Sequence, residues 1–260
     1  MMSELLTHID GRGVATVTMN RPLVHNAFDP VLIASLTYAF TTLNADDNVR
    51  AVVLKGAGKS FSAGADLTWM QEAAKYSKEQ NRVDAVLLSN MLVAIDGCSK
   101  PVIALVQGLA MGGGVGLTAC ADIAIAHTDT KFALSEVKLG LTPATISPFV
   151  MRAIGAKNCR RLFLTAERFT AAEAKDYGLI SEVAEDVEAK AEEFIAVLLK
   201  NSPKAMAAAK VLINSIENQE ITPDILSMTA DEIAERRTSD EGQEGLAAFL
   251  EKRKPNWIKE

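Results

Sequence analysis

Apolar and polar positions alternate or cluster in ways that separate strands from helices along this chain. Leu5–Asp10 and Val14–Met19 flank the turn Asp10-Gly11-Arg12-Gly13 and predict a hairpin that Asn20-Arg21-Pro22 ends. Asp29-Pro30 supplies an N-cap followed by proline at the first helical position, opening a helix to about Asn44. Ala51–Lys55 is a short apolar run, and Val102–Val106 and Ile123–Ala126 are wholly apolar ones, of the kind found in buried parallel strands. Between them, Leu87, Leu88, Met91, Leu92 and Ile95 recur at helical spacing and predict an amphipathic helix over 81–95. Strand, crossover and strand thus repeat at βαβ spacing, which predicts an α/β core. From Ser147 onward the pattern is nearly all helical, broken at Asn201-Ser202-Pro203 and Ile221-Thr222-Pro223. The division expected is a core over residues 1–200 and a helical region over 201–260.

Composition narrows the class. The balance of 48% hydrophobic to 23% charged residues over 260 positions is that of a soluble globular chain. The net charge of −6 argues against general nucleic-acid binding. Cys98, Cys120 and Cys159 form no CxxC pair and no metal-ligand spacing, so no metal is expected and each reads as a small buried hydrophobe in a reducing compartment. No secretory signal, transit peptide or membrane span is recognisable, and the expected location is the cytoplasm.

Candidate chemistry lies in two glycine-bearing segments about fifty residues apart. In Ser60-Phe61-Ser62-Ala63-Gly64-Ala65-Asp66-Leu67, the Ala63 N–H is the expected first donor to an oxyanion. The structural alternative is a strand-to-helix turn with Asp66 as cap. In Gly108-Leu109-Ala110-Met111-Gly112-Gly113-Gly114-Val115-Gly116-Leu117, the Gly113 N–H at a helix start is the expected second donor. The alternative there is close packing, and the spacing matches neither a P-loop nor a dinucleotide fingerprint. Glu136, bounded by apolar residues, suits a proton-moving carboxylate with a raised pKa; the alternatives are an ion pair with Lys138 or a capping role. His25, before Asn26-Ala27-Phe28, is a possible ligand contact, whereas His127 reads as a surface histidine at a strand end.

Taken together, these residues resemble the enoyl-CoA hydratase/isomerase (crotonase) superfamily. The ordered pieces are Asn20-Arg21-Pro22…Asn26-Ala27-Phe28, Phe61–Leu67, Pro101-Val102-Ile103-Ala104…Gly108…Gly112-Gly113-Gly114, Ala121-Asp122-Ile123-Ala124, Ser135-Glu136-Val137-Lys138-Leu139-Gly140, Ala172-Glu173-Ala174…Gly178-Leu179 and Phe249-Leu250-Glu251-Lys252-Arg253. The resemblance implies a spiral of stacked ββα units with a helical C-terminal trimerisation region, assembling as a trimer or as a hexamer of two trimers. It implies an acyl-CoA thioester as substrate, with no separate cofactor. The thioester oxygen would lie between the Ala63 and Gly113 N–H groups. Ala63, Gly64, Ala65, Asp66 and Leu67 would contact the CoA portion, and Lys252 or Lys254 a CoA phosphate.

The chain departs from the family pattern twice. Hydratases carry two glutamates, one for water and one for the proton at Cα. Here Gly116 stands at the first position and Glu136 keeps the second. A single carboxylate suffices for a 1,3-proton shift, so an isomerase is an alternative to hydratase chemistry. A non-catalytic acyl-CoA-binding protein is a further one. Leu141-Thr142-Pro143-Ala144-Thr145-Ile146-Ser147-Pro148-Phe149, with Arg160–Phe169, resembles a bacterial subset that hydrates methylglutaconyl-CoA and related branched, carboxylated enoyl-CoA esters in leucine or acyclic-terpene breakdown. Backbone, Thr142 or Ser147 could hold the water there. The leading expectation is hydration of a short branched or carboxylated enoyl-CoA.

Overall fold

The computed structural model describes residues 3–258. Strands β1 (Leu5–Ile9) and β2 (Val14–Met19) form the expected antiparallel hairpin. Strands β3 (Ala51–Gly56), β4 (Val102–Val106), β6 (Ile123–His127) and β9 (Glu182–Ala184) then extend the sheet in parallel, in the order β1-β2-β3-β4-β6-β9. Its central strands are apolar apart from Lys55 and His127 near their C-terminal ends, because both faces are covered. Val52, Leu54, Val102, Ala104 and Val106 point into one core with helices α1 (Pro30–Ala45) and α3 (Lys78–Asp96). Val53, Ile103 and Leu105 point the other way, against Val187, Ala191 and Ile195 of α7 (Val187–Leu198). The alternation of successive side chains across a strand produces this division.

A smaller sheet of three-residue strands, β5 (Leu109–Met111), β7 (Lys131–Ala133) and β8 (Arg168–Thr170), lies beyond the C-terminal end of β4. It was not expected from the sequence, since three residues are too few to show a period. Helix α4 (Gly113–Cys120) starts directly after β5, and its residues from Gly114 to Thr118 are buried. Helix α1 begins where the sequence placed it, with the Asp29 carboxylate accepting from the Leu32 N–H and Pro30 at the first turn. Helix α3 opens on a capping box between Ser77 and Gln80.

After α5 (Ser147–Thr165), which is two helical segments joined at a kink at Gly155 (φ 71°), and the short α6 (Ala171–Tyr177), helices α8 (Pro203–Ile216), α9 (Pro223–Thr238) and α10 (Asp240–Glu251) follow. Ser202-Pro203 and Thr222-Pro223 are the caps of α8 and α9, as the breaks in the pattern indicated. These three helices leave Val211, Ile213, Leu226, Ile233, Leu246, Phe249 and Leu250 exposed. Among the described residues, no helix is long and apolar enough to cross a membrane.

Candidate active site

Ladder hydrogen bonds join the two glycine segments. The Ser62 N–H donates to the Leu109 carbonyl at 3.1 Å, and the Met111 N–H donates to the Ser62 carbonyl at 2.9 Å. Glycine is needed here for close approach. A Cβ on Gly114 would lie 2.6 Å from the Ser62 carbonyl oxygen, and one on Gly64 would lie 3.1 Å from the Met111 carbonyl oxygen and 3.9 Å from the Gly113 nitrogen. The chain therefore brings Gly64 and Gly113 against each other although 49 positions separate them in sequence (113 − 64).

A third segment supports both. The Ala63 N–H donates to the His25 carbonyl at 2.9 Å, the Phe28 N–H donates to the Gly64 carbonyl at 2.7 Å, and the Asp66 N–H donates to the Phe28 carbonyl at 2.8 Å. Gly64 donates to the Ser62 hydroxyl at 3.3 Å. This corrects one expectation. Ala63 cannot serve as the first oxyanion donor, because its N–H is already spent on His25. In Ser62–Asp66 the N–H without an acceptor among the described residues is that of Ala65, an exposed residue. Gly64 lies between them at φ 89°, so the chain turns there and the two N–H groups need not share an acceptor.

Gly113 is the first residue of α4. The first N–H groups of a helix have no internal partner, and those of Gly113 and Gly114 donate to nothing among the described residues. Gly114 is buried while Gly113 is partly open, so Gly113 presents the accessible donor. The helix dipole adds to its pull on negative charge.

Glu136 opens a 3₁₀ turn, Glu136–Leu139, after β7. A Cβ on Gly112 would sit 2.9 Å from its Oε1, which places the carboxyl beside the start of α4. Its Oε2 is buried and accepts no hydrogen bond among the described residues, and no ion pair to Lys138 forms. Burial, with only its own N–H opposing, pushes its pKa above the ordinary glutamate range. Neither the ion-pair nor the capping alternative accounts for it.

Asp66 plays the capping role foreseen for it. Its carboxylate accepts from the N–H groups of Thr68 (2.8 Å) and Trp69 (3.4 Å) at the start of α2 (Leu67–Ala73). Burial alone would raise its pKa; the two N–H groups and the Arg21 guanidinium at 3.1 Å outweigh burial and hold it below the usual range. Leu67 is 77% exposed beside Ala65, on the open side of this segment. His25 has φ 54°, and its Nδ1 lies 3.0 Å from the Ser60 hydroxyl oxygen. Lys252 ends α10 with its side chain exposed, and no hydrogen bond or ion pair among the described residues links it to Ala65, Gly113 or Glu136. Among the described residues, no group of three or more His, Cys, Asp or Glu side chains comes together as a metal site would require.

The position of the missing second carboxylate is filled. A Cβ on Gly116 would come within 2.5 Å of Ile146 Cγ2 and 3.6 Å of Leu92 Cδ2. Ile146 is 2% exposed and Leu92 fully buried, so apolar side chains close this wall. Thr142 is exposed, and the Ser147 hydroxyl donates to the Ala144 carbonyl at 2.8 Å.

Residues 10–260 match the model of the enoyl-CoA hydratase/isomerase family. The chain belongs to that family. An enoyl-CoA hydratase structure from Shewanella pealeana is 46% identical with a TM-score of 0.96, over 98% of this chain and 96% of that one. Pseudomonas aeruginosa AtuE is 36% identical with a TM-score of 0.94, over 99% of this chain and 100% of its own. The short-chain-enoyl-CoA hydratase of Clostridium acetobutylicum is 33% identical over 97% of both chains. The crotonase fold and an enoyl-CoA hydratase/isomerase type of activity on acyl-CoA esters follow from this membership.

Proposed function

We propose that this enoyl-CoA hydratase/isomerase adds water to a short branched or carboxylated enoyl-CoA such as 3-methylglutaconyl-CoA. The observation that carries the reading is the grouping of two unspent N–H donors, Ala65 and Gly113, with a half-buried carboxyl at Glu136 whose buried Oε2 accepts no hydrogen bond among the described residues. The thioester oxygen accepts from both N–H groups, which draws electron density from Cβ. Glu136 takes a proton from water as the water oxygen bonds to Cβ, and the electron pair moves onto the thioester oxygen as an enolate. The resulting carboxylic acid of Glu136 returns a proton to Cα and the carboxylate is restored. One carboxylate thereby serves both halves of the addition, and its raised pKa suits a group that must take and give a proton near neutral pH. Two preorganised donors supply much of the enolate's stabilisation, since losing one in an acyl-transfer enzyme costs about 2.7–4 kcal/mol.

The short acyl group is supported by the name of the Clostridium relative, and the carboxylated class by the Leu141–Phe149 stretch. The apolar side chains left open on α8–α10 support association of copies through residues 201–260, as a trimer or a pair of trimers; the location proposed is the cytoplasm. A second reading rests on Gly116. With Ile146 and Leu92 closing that wall, Glu136 alone could shift a proton between Cα and Cγ, which is Δ3-Δ2-enoyl-CoA isomerisation.

A substrate panel tests these readings. Loss of the conjugated absorbance of 3-methylglutaconyl-CoA or crotonyl-CoA, with one oxygen from ¹⁸O-water in the product, is the expected result. Conversion of a 3-enoyl-CoA without ¹⁸O uptake would establish the isomerase instead. Binding of esters without turnover of any would leave only an acyl-CoA-binding protein.

A further inference from the structure

We propose that Phe28 is a positioning residue that sets the gap between the two oxyanion donors; the inference rests on the acyl-CoA reading above. Phe28 is 1% exposed, and it touches both donor segments in different ways. Its backbone grips the first: its N–H donates to the Gly64 carbonyl at 2.7 Å and its carbonyl accepts from the Asp66 N–H at 2.8 Å. Those two bonds fix the peptides on either side of Ala65 and leave the Ala65 N–H unspent. Its ring meets the second. A Cβ at Gly113 would fall 2.3 Å from Phe28 Cε2 and 2.8 Å from Cδ2, so the ring packs directly on the Gly113 backbone.

Phe28 is itself held. The neighbouring Asn26 is fully buried at φ 54°, and its amide nitrogen donates to the carbonyls of Ala57 and Ser60, both at 2.8 Å. Its Oδ1 accepts from the Arg21 N–H at 2.9 Å, and its carbonyl accepts from the Ser62 hydroxyl at 2.9 Å. One rigid segment therefore clamps the Ala65 loop by main-chain bonds and stops the start of α4 with an aromatic ring. Oxyanion donors act only within a few tenths of an ångström of their working distance, and a shift of about 1 Å can cost about 10²-fold in rate. Trimming the ring leaves the Ala65 side in place and frees Gly113 to move.

The test compares wild type, Phe28→Ala, Phe28→Leu and, as an equally buried control on α1, Phe40→Leu. Each full-length protein is titrated with butyryl-CoA and with S-butyl-CoA, the thioether that lacks the carbonyl oxygen, and kcat and KM are measured on the best substrate of the panel. Wild type should prefer the thioester by about tenfold, as two hydrogen bonds to one oxygen would give. In Phe28→Ala that preference should shrink to about twofold with S-butyl-CoA affinity unchanged, so KM should rise by about fivefold at most while kcat falls about 10²-fold. Phe28→Leu should lie between and carries the test if Phe28→Ala does not fold; Phe40→Leu should keep the wild-type ratio.

Retention of the wild-type ratio and kcat in the Phe28 variants overturns the proposal. So does a parallel loss of affinity for both ligands, which marks a merely structural residue. If wild type binds both ligands equally, the oxyanion reading fails, and if it binds neither, the acyl-CoA reading fails; the inference falls with either, and the two failures are distinguishable.

Discussion

Replacing Gly116 by alanine probes the wall that stands where a second carboxylate would be. The new Cβ would lie 2.5 Å from Ile146 Cγ2 and 3.0 Å from Ile146 Cβ, about 1 Å inside ordinary carbon–carbon contact. Ile146 cannot swing aside freely, because it is 2% exposed, and Leu92, 3.6 Å from the new Cβ, is fully buried too. Overpacking of this kind costs about 1–3 kcal/mol. Alanine in place of glycine inside a helix returns about 1 kcal/mol, so Gly116→Ala should destabilise by about 0–2 kcal/mol. Ile146→Ala removes the obstructing methyl and leaves a cavity that costs about 2–5 kcal/mol. In the double variant the new methyl enters that cavity, and the pair should be less destabilised than the sum of the singles by about 1–2 kcal/mol, within the usual range for residues in contact. Urea unfolding of all four proteins at one fixed concentration measures this, with m-values checked for constancy. Additivity to within about 0.5 kcal/mol would refute the reasoning, since it would mean that Gly116 and Ile146 do not share the space described.

Ala65→Pro removes the unspent N–H and should lower kcat about 10²–10³-fold at unchanged CoA affinity, whereas Ala63→Gly, whose N–H stays on His25, should keep kcat within about threefold; steady-state kinetics on the two variants decide the donor. Because the folded-state pKa of Glu136 is raised, its ionisation opposes folding: the protonated form's advantage is complete below the ordinary glutamate pKa and lost as pH rises through the raised one. Glu136→Gln should therefore raise the Tm at pH 7 and give no gain at pH values below the ordinary glutamate range, while abolishing turnover; a gain confined to low pH in thermal scans would contradict the sign. For the same reason kcat should fall with decreasing pH through a limb displaced above the usual glutamate value. Asn26→Ala orphans the Ala57 and Ser60 carbonyls and the Arg21 N–H, and should cost about 3 kcal/mol in urea unfolding, far more than a surface asparagine.

Local signals in the sequence carried much of this architecture. The hairpin, the cap of α1 at Asp29-Pro30 and the apolar runs of β3, β4 and β6 all rest on neighbours in sequence, so pattern alone places them. Gly113 and Glu136 stand out as candidates in the sequence because a glycine run at a helix start and a carboxyl among apolar residues are themselves local features. The donor on the first segment was not. Whether Ala63 or Ala65 presents its N–H depends on which one faces His25, and that partner lies 38 positions away from Ala63 (63 − 25). The closure of the Gly116 position by Ile146 and the packing of Phe28 on Gly113 are likewise contacts between distant segments, invisible to periodicity. The three-residue strands of the second sheet were missed because pairing with each other, rather than their own pattern, makes them strands.

The central claim is that the thioester carbonyl is polarised between Ala65 and Gly113 while Glu136 moves the proton. Difference infrared spectroscopy of crotonyl-CoA bound to Glu136→Gln reads the carbonyl directly, without turnover. The account predicts a thioester C=O band shifted to lower frequency on binding, with the shift reduced when Ala65→Pro is added. A bound ester whose carbonyl band stays at its solution frequency would contradict it.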